Sequence, residues 1–332
     1  MFICIHRAYY GCLSRDNERD FAMTWLEGNS RNTTPAGKRI ATLLARPEIL
    51  RVPGAHNAMA GLLAKKHGFE ALYISGGGVT TTLGLPDLGI MSLEELCFIV
   101  RMVARSTDLP LIVDGDVGYG GTLNAMRTVQ ELEVAGAGAV HIEDQILPKK
   151  CGHLNDKRLV NIDDAAAKIA AAKKAASHLM VIARTDAAAV EGIEGAIKRA
   201  QAYKKAGADI VFPDGLPRES AFRLFADAVP GPKMANMTEC GRTPHFTARE
   251  FQDFGYDIVI WPATSMRVAG HALRDLYAHI KSKDGTAGFE NRMLTRAESY
   301  ELIGYHDVEA LDSSVAKSLV PTSTGTNPEF KP

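Results

Sequence analysis

Cysteine is scarce in this 332-residue chain: the five are Cys4, Cys12, Cys97, Cys151 and Cys240, odd in number and widely scattered. With no CxxC pair, neither a zinc cluster nor a disulfide framework is expected, and the setting reads as reducing and cytoplasmic. Charge of one sign is lacking too. The 38 basic and 39 acidic side chains leave a net charge of −1 and no charged tail, so no nucleic-acid partner is expected. No apolar run approaches the ~20 residues that span a bilayer, which argues against a membrane helix. No GxGxxG follows the first strand-like run, and no GKS or GKT closes a phosphate loop.

What is present is an alternation. Short β-branched runs lie at 49–55, 71–77, 109–116, 138–144, 179–186, 208–214, 233–239 and 257–263. Between them come helical patterns such as NAMAGLLAKKHGF and IEGAIKRAQAYKKAG. Runs that are continuously apolar mark strands buried on both faces of a parallel sheet. Eight strand–helix units predict an α/β fold, a single (β/α)8 TIM-type barrel; an open doubly wound sheet is the rival. The barrel domain would span residues 34–318, with an extra N-terminal helix around TPAGKRIATLLARPE and C-terminal helices beyond 284. Residues 1–33 read as an N-terminal extension, with Met23 as an alternative start, and 319–332 as a flexible tail.

Nearly every strand candidate ends in a polar residue: Ser75, Asp114 with Asp116, Glu143, Arg184, Asp214 and Asn236. Strand C-termini build the active sites of these barrels. Asp114 and Asp116, two apart, point the same way and suit Mg²⁺; the plainer reading is a pair of turn-forming aspartates. Glu143 and Asp144 would add negative charge nearby, which a cation would relieve. Arg184 reads as a bidentate partner for a substrate carboxylate or as a structural ion pair with Glu143 or Asp186. Arg267 is similarly placed after the last strand. Cys97 lies in an apolar helical pattern and reads as core. Cys151 stands in PKKCGHLNDKR, among Lys149, Lys150, His153, Lys157 and Arg158; such surroundings lower a thiol pKa and suit catalysis or metal binding.

In order, YISGGG, LGLPDLG, VDGDVGYG, HIEDQ, KKCGH, IARTDA and NMTECGRTP resemble the lyase branch of the isocitrate lyase and phosphoenolpyruvate mutase superfamily. The likeness runs from about Thr34 to Tyr305 and is greatest to the 2-methylisocitrate lyases. It implies a Mg²⁺-dependent (or Mn²⁺-dependent) retro-aldol-type cleavage of a tricarboxylate, 2-methylisocitrate, to pyruvate and succinate. By motif, Asp114, Asp116 and Asp87 would hold the metal. Tyr73, Ser75, Gly76, Gly77, Gly152, Arg184, Asn236, Thr238, Arg267 and Arg296 would bind substrate. Cys151 would protonate the succinate-like intermediate, with Lys149, His153 and Glu143 completing the catalytic set. Phe212, Ile260 and Pro262 would take the methyl group. The resemblance also implies a homotetramer that exchanges C-terminal helices. One departure stands out: Asp214, in FPDG, replaces the family's glutamate and leaves a carboxylate one methylene shorter. The alternatives are 2,3-dimethylmalate lyase, an oxaloacetate-acting relative, or a barrel without turnover.

Overall fold

The structure is a computed structural model and describes residues 25–27, 32–152, 154 and 156–315. The extension up to residue 24, the tail 319–332 and His153 lie outside the described residues. Two compact units result. One is residues 31–303; of the other, formed by the two ends, the described part includes one helix, Tyr305–Ser314.

In the large unit the strands are β1 (Leu50–Pro53), β2 (Leu72–Ile74), β3 (Leu111–Asp114), β4 (Ala137–Glu143), β5 (Met180–Thr185), β6 (Ile210–Pro213), β7 (Met234–Asn236) and β8 (Ile258–Trp261). The helices are α1 (Ala36–Leu44), α2 (Ala58–Lys66), α3 (Gly76–Thr82), α4 (Leu93–Thr107), α5 (Thr122–Ala135), α6 (Ile162–Ala175), α7 (Gly192–Lys205), α8 (Glu219–Ala228), α9 (Ala248–Asp253), α10 (Thr264–Lys283) and α11 (Arg296–Leu302). Seven strands fall inside the expected runs, and β4 begins one residue before its run. All pair in parallel, as β2-β3-β4-β5-β6 and β1-β8-β7. Single parallel bridges, Gly54 to Tyr73 and Val211 to Lys233, join the two sheets at both seams. The strands therefore run in one cycle, the arrangement of an α/β barrel.

Alternation along each strand divides the core into an inside and an outside. Ile112, Ala139, Ile182, Ile210, Phe212 and Ile260 pack together inside. Their neighbours Leu111, Val113, Val140, Val181 and Ala183 pack outward with the helices. Helix α1 adds Ile40 and Leu43 to the interior cluster. It comes so close that a Cβ at Gly37 would stand 1.8 Å from the His178 carbonyl oxygen. With α1 packed into the barrel and its interior filled by apolar side chains, the strand C-termini are left to make a site.

Candidate active site

Strand register assembles the mouth. Asp114 lies beside His141, Glu143 beside Arg184, Arg184 beside Phe212, and Asn236 beside Ile260. Inside-facing parity gathers these residues from the six strands β3 to β8 on one rim.

The acidic side of the rim is tightly organised. Asp114 accepts hydrogen bonds from the Gly76 amide (3.0 Å) and the Asp116 amide (3.1 Å). Burial pushes its carboxyl upward, but His141, Lys149 and Arg184 outweigh that and bring it down to about 2. Asp116, in the left-handed region at φ 46°, is lifted to about 6 by burial, against the pull of Lys149 and with the push of Asp114. Glu143 is buried with neither carboxylate oxygen accepting a hydrogen bond, and burial raises it well above the usual range. Arg184 Nε stands 3.2 Å from it, out of hydrogen-bonding alignment. The Lys149 ammonium lies 2.6 Å from Asp116 Oδ1 and also pairs with Asp87. Burial would lower that lysine's pKa, but Asp116, Glu143, Asp114 and Asp87 raise it.

Among the described residues no three carboxylate, imidazole or thiol groups form a ready metal cage. The donor chemistry nevertheless fits a small hard cation: four carboxylates, one with two unsatisfied buried oxygens, surround a single ammonium. Asp87, Asp114 and Asp116 would hold it, with Glu143 beside them. A pH-dependent effect follows. In the metal-free protein the raised Asp116 favours folding below 3.8, and that contribution is lost as pH rises through about 6. A Mg²⁺ ion held by these acids would need them ionised, so it would stabilise the protein more at pH 8 than at pH 5. At a hundredfold excess over Kd the stabilisation is about 2.7 kcal/mol. Melting curves with and without MgCl₂ at the two pH values check this, and equal shifts at both would contradict it.

The opposite side of the rim is built around a buried, ion-paired arginine. The buried Arg184 guanidinium donates to Asp186 (3.0 and 3.2 Å) and Asp214 (2.8 Å) and lies over the Phe212 ring at 5.4 Å. Asp214 also accepts from Asn236 Nδ2 (3.0 Å) and the Gly215 amide (3.0 Å). Thr238 is buried just beyond β7. Below the acids, Tyr73 Oη lies 2.6 Å from His141 Nε2, and the two rings stack. Burial lowers His141 to about 4, so it is neutral at physiological pH.

The structure adds detail to several sequence expectations and corrects one. Gly76, Gly77 and Gly78 form the first turn of α3, capped by Ser75, whose oxygen accepts from the Gly78 amide (3.1 Å). Asp144 does not add charge to the mouth. It faces outward, accepting from Thr185 and Tyr203 (2.8 Å each), the Asp186 amide (3.0 Å) and Arg199 (3.3 Å). Of the basic residues in the cysteine segment, Lys149 and Lys157 send their ammoniums to carboxylates. Cys97 is core, as expected, and burial raises its thiol to about 11.

The segment carrying Cys151 crosses the mouth as a pinned loop. Its base closes through the Ile146 amide on the Arg158 carbonyl (2.8 Å) and a bridge from Gln145 to Leu159. The Gln145 side chain brackets Lys150, donating to its carbonyl (2.7 Å) and accepting from its amide (3.0 Å). Lys157 Nζ binds the Gly152 carbonyl and Asp186 (3.1 Å). Gly152 is buried against Arg184, Asp186 and Asp214, while Cys151, between Lys149 and Gly152, is exposed. Arg267 is exposed on α10 and paired with Glu239 (3.2 Å), and Arg296 is exposed at the start of α11. Phe212 and Ile260 are buried; Pro262 is half-buried.

Three buried residues have contacts that the sequence reading did not give them: His141 with Tyr73, Asp186 with Lys157, and Lys157 with Gly152. Period two signals the first pair, since His141 precedes Glu143 by two and Asp186 follows Arg184 by two. Nothing local signals Lys157, whose partners depend on how the loop returns.

Known proteins resemble this chain over most of its length. The family model described as phosphoenolpyruvate phosphomutase matches residues 40–281. A 2-methylisocitrate lyase of Bacillus subtilis (strain 168) is 48% identical over 299 residues, covering 90% of this chain and 99% of that protein. The structure of an oxaloacetate acetylhydrolase with 3,3-difluorooxalacetate matches with TM-score 0.81 and 31% identity, covering 86% of this chain and 98% of the other. A 2,3-dimethylmalate lyase structure matches with TM-score 0.81 and 30% identity, covering 89% and 100%. With matches of this extent across the barrel and its mouth, the chain belongs to the phosphoenolpyruvate phosphomutase family, among its carbon–carbon lyases.

Proposed function

We propose that the protein is a Mg²⁺-dependent 2-methylisocitrate lyase that releases pyruvate and succinate. The observation that carries this reading is the seating of the Cys151 loop on both halves of the rim, by Lys149 on Asp116 and by Gly152 on Arg184 and Asp214. Relatives named 2-methylisocitrate lyase support the choice of substrate.

A bound divalent ion would polarise the hydroxyl and carboxylate of the half that becomes pyruvate. The chain's own groups would do the rest. Arg184, Asn236 and Thr238 would orient the remaining carboxylates, with the α3 amides of Gly76 and Gly77 opposite. The hydroxyl proton would pass to Glu143, whose raised affinity for protons suits a base. The C–C bonding pair would stay on the succinate half as an aci-carboxylate, which needs donors placed in advance. Cys151 Sγ–H would then protonate that carbon. Loop closure would exclude water during these steps.

Phe212 and Ile260 supply an apolar wall for a methyl group, a contact worth only about 1–3 kcal/mol, so discrimination against near relatives is incomplete. The similarity to a 2,3-dimethylmalate lyase supports a second reading, cleavage of 2,3-dimethylmalate. Pyruvate release from methylisocitrate, isocitrate, dimethylmalate and oxaloacetate, each with Mg²⁺, ranks these substrates, and no turnover on any of them would end the lyase reading.

The working state we propose is a cytoplasmic homotetramer. Helix α10 supports it: 20 residues long, it buries none and exposes Val268, Leu273 and Tyr277. No helix among the described residues is long and apolar enough to cross a membrane.

A further inference from the structure

Asp144 is a buried acid that the proposed reaction does not use. Its carboxylate turns away from the mouth, and each bond it accepts leads either to the end of β5 or to α7. Oδ1 accepts from the Asp186 amide (3.0 Å). Oδ2 accepts from Thr185 Oγ1 and Tyr203 Oη (2.8 Å each) and from Arg199 Nη1 (3.3 Å). These donors match the roughly four lone-pair sites of a carboxylate, the full complement of an anchor. Both α7 partners are themselves fixed. Arg199 forks onto Glu191 (2.8 and 2.7 Å) and donates to the Val160 carbonyl (2.9 Å) and to Tyr203 Oη (3.2 Å). Tyr203 therefore gives its own proton to Asp144.

What Asp144 holds is the point where β5 stops. The strand ends at Thr185, so the Asp186 amide lies past it, and a buried amide without an acceptor is costly. Asp144 supplies that acceptor. The backbone fixed in this way presents the Asp186 carboxylate, which takes Arg184 Nε and Nη2 (3.0 and 3.2 Å) as a fork. A planar fork sets the orientation of the guanidinium as well as its place. One chain of contacts thus runs from α7 through Asp144 and Asp186 to Arg184.

We infer that Asp144, braced by Tyr203 and Arg199, is a positioning residue for substrate binding: through Asp186 it sets the plane in which Arg184 meets a substrate carboxylate. This rests on the proposed role of Arg184 as a carboxylate partner. Arg184 grips the carboxylate alike before and during the reaction, so loosening it weakens binding and leaves the chemical step alone. A brace that only stabilised the fold would affect the melting temperature and the active fraction, and would leave KM where it is.

Tyr203→Phe is the central variant, because it deletes one donor to Asp144 and keeps the ring in the core. Pyruvate release from 2-methylisocitrate and calorimetric binding of pyruvate with succinate, both with Mg²⁺, are measured on the full-length wild type and on Tyr203→Phe. The same is done for Asp144→Asn, Arg184→Lys and the Tyr203→Phe/Arg184→Lys double variant. Tyr203→Phe raises KM and the product Kd by about tenfold, the effect of a misaligned charge-assisted hydrogen bond, with kcat within about twofold of the wild type. Asp144→Asn, where it folds, raises both further. Arg184→Lys keeps the charge without the fork, so adding Tyr203→Phe to it costs less than about twofold more. Unchanged KM and Kd in Tyr203→Phe would overturn the proposal. So would an equal loss repeated in the Arg184→Lys background, because Tyr203 would then act on something other than the fork. A wild type that binds the products without cleaving 2-methylisocitrate would overturn the choice of substrate, and the Kd comparison would still decide the role of Asp144. A wild type that binds neither would overturn Arg184 as a carboxylate partner, and the proposal with it.

Discussion

Cys151→Ser lowers kcat by about 10²–10⁴-fold, the usual worth of a positioned acid. Substrate affinity changes by no more than about twofold, because the substituted group acts only in the protonation step. The reasoning begins with acidity: a serine hydroxyl holds its proton far more tightly than a thiol, whose ordinary pKa is about 8.5. Size and loop geometry are nearly preserved. Cys151 is exposed, two residues after the buried Lys149 and next to the buried Gly152, so the backbone at this point is held over the rim by contacts the substitution leaves intact. Steady-state kcat with calorimetric binding of a product pair separates the two quantities. Normal kcat in Cys151→Ser would remove the cysteine from the mechanism.

Gly152→Ala is the more severe test of closure, since it adds a single methyl group at the tightest point of the mouth. A Cβ there would stand 1.9 Å from Asp214 Oδ2 and 2.6 Å from both Arg184 Nη2 and Asp186 Oδ1. None of the three can retreat easily. Arg184 is bound to Asp186 and Asp214 at once, and Asp214 is held by Asn236 and the Gly215 amide. The loop must yield instead, which lifts the thiol from its working position. A displacement of about 1 Å in a catalytic group costs on the order of 10²-fold, so kcat falls by roughly that much while the barrel's melting temperature stays close to the wild type. Stopped-flow turnover and deuterium uptake by the loop check both parts. Wild-type kcat together with wild-type loop protection would show that Gly152 does not close against Arg184 and Asp214 in the working enzyme.

Much of the fold was legible before any coordinates. Continuous apolar runs such as LIVD and IVIW require two covered faces, which a parallel sheet under helices supplies. The polar ends of those runs then had to gather at one rim. Candidate residues were legible as types: Asp114 and Asp116 by their spacing, Arg184 by being a charge at the end of an apolar strand. What each touches was not. Arg184 reads equally as a substrate clamp or an ion pair, and here its guanidinium is held by Asp186 and Asp214. Asp144, adjacent to Glu143, had been grouped with it although a strand sends successive side chains to opposite faces.

Composition and periodicity by themselves determined a parallel α/β sheet, the polar strand ends and the chemical kinds of group displayed there, because burial on both faces and alternation along a strand are local properties of a sequence. Tertiary structure alone decided the partners: that Lys149 meets Asp116, that Lys157 reaches back to Gly152, and that His141 lies neutral beneath Asp114. Those pairings depend on strand register and on the return path of one loop. Burial of charge then makes them decisive, since an ion removed from water is tolerated only where a partner stands close by.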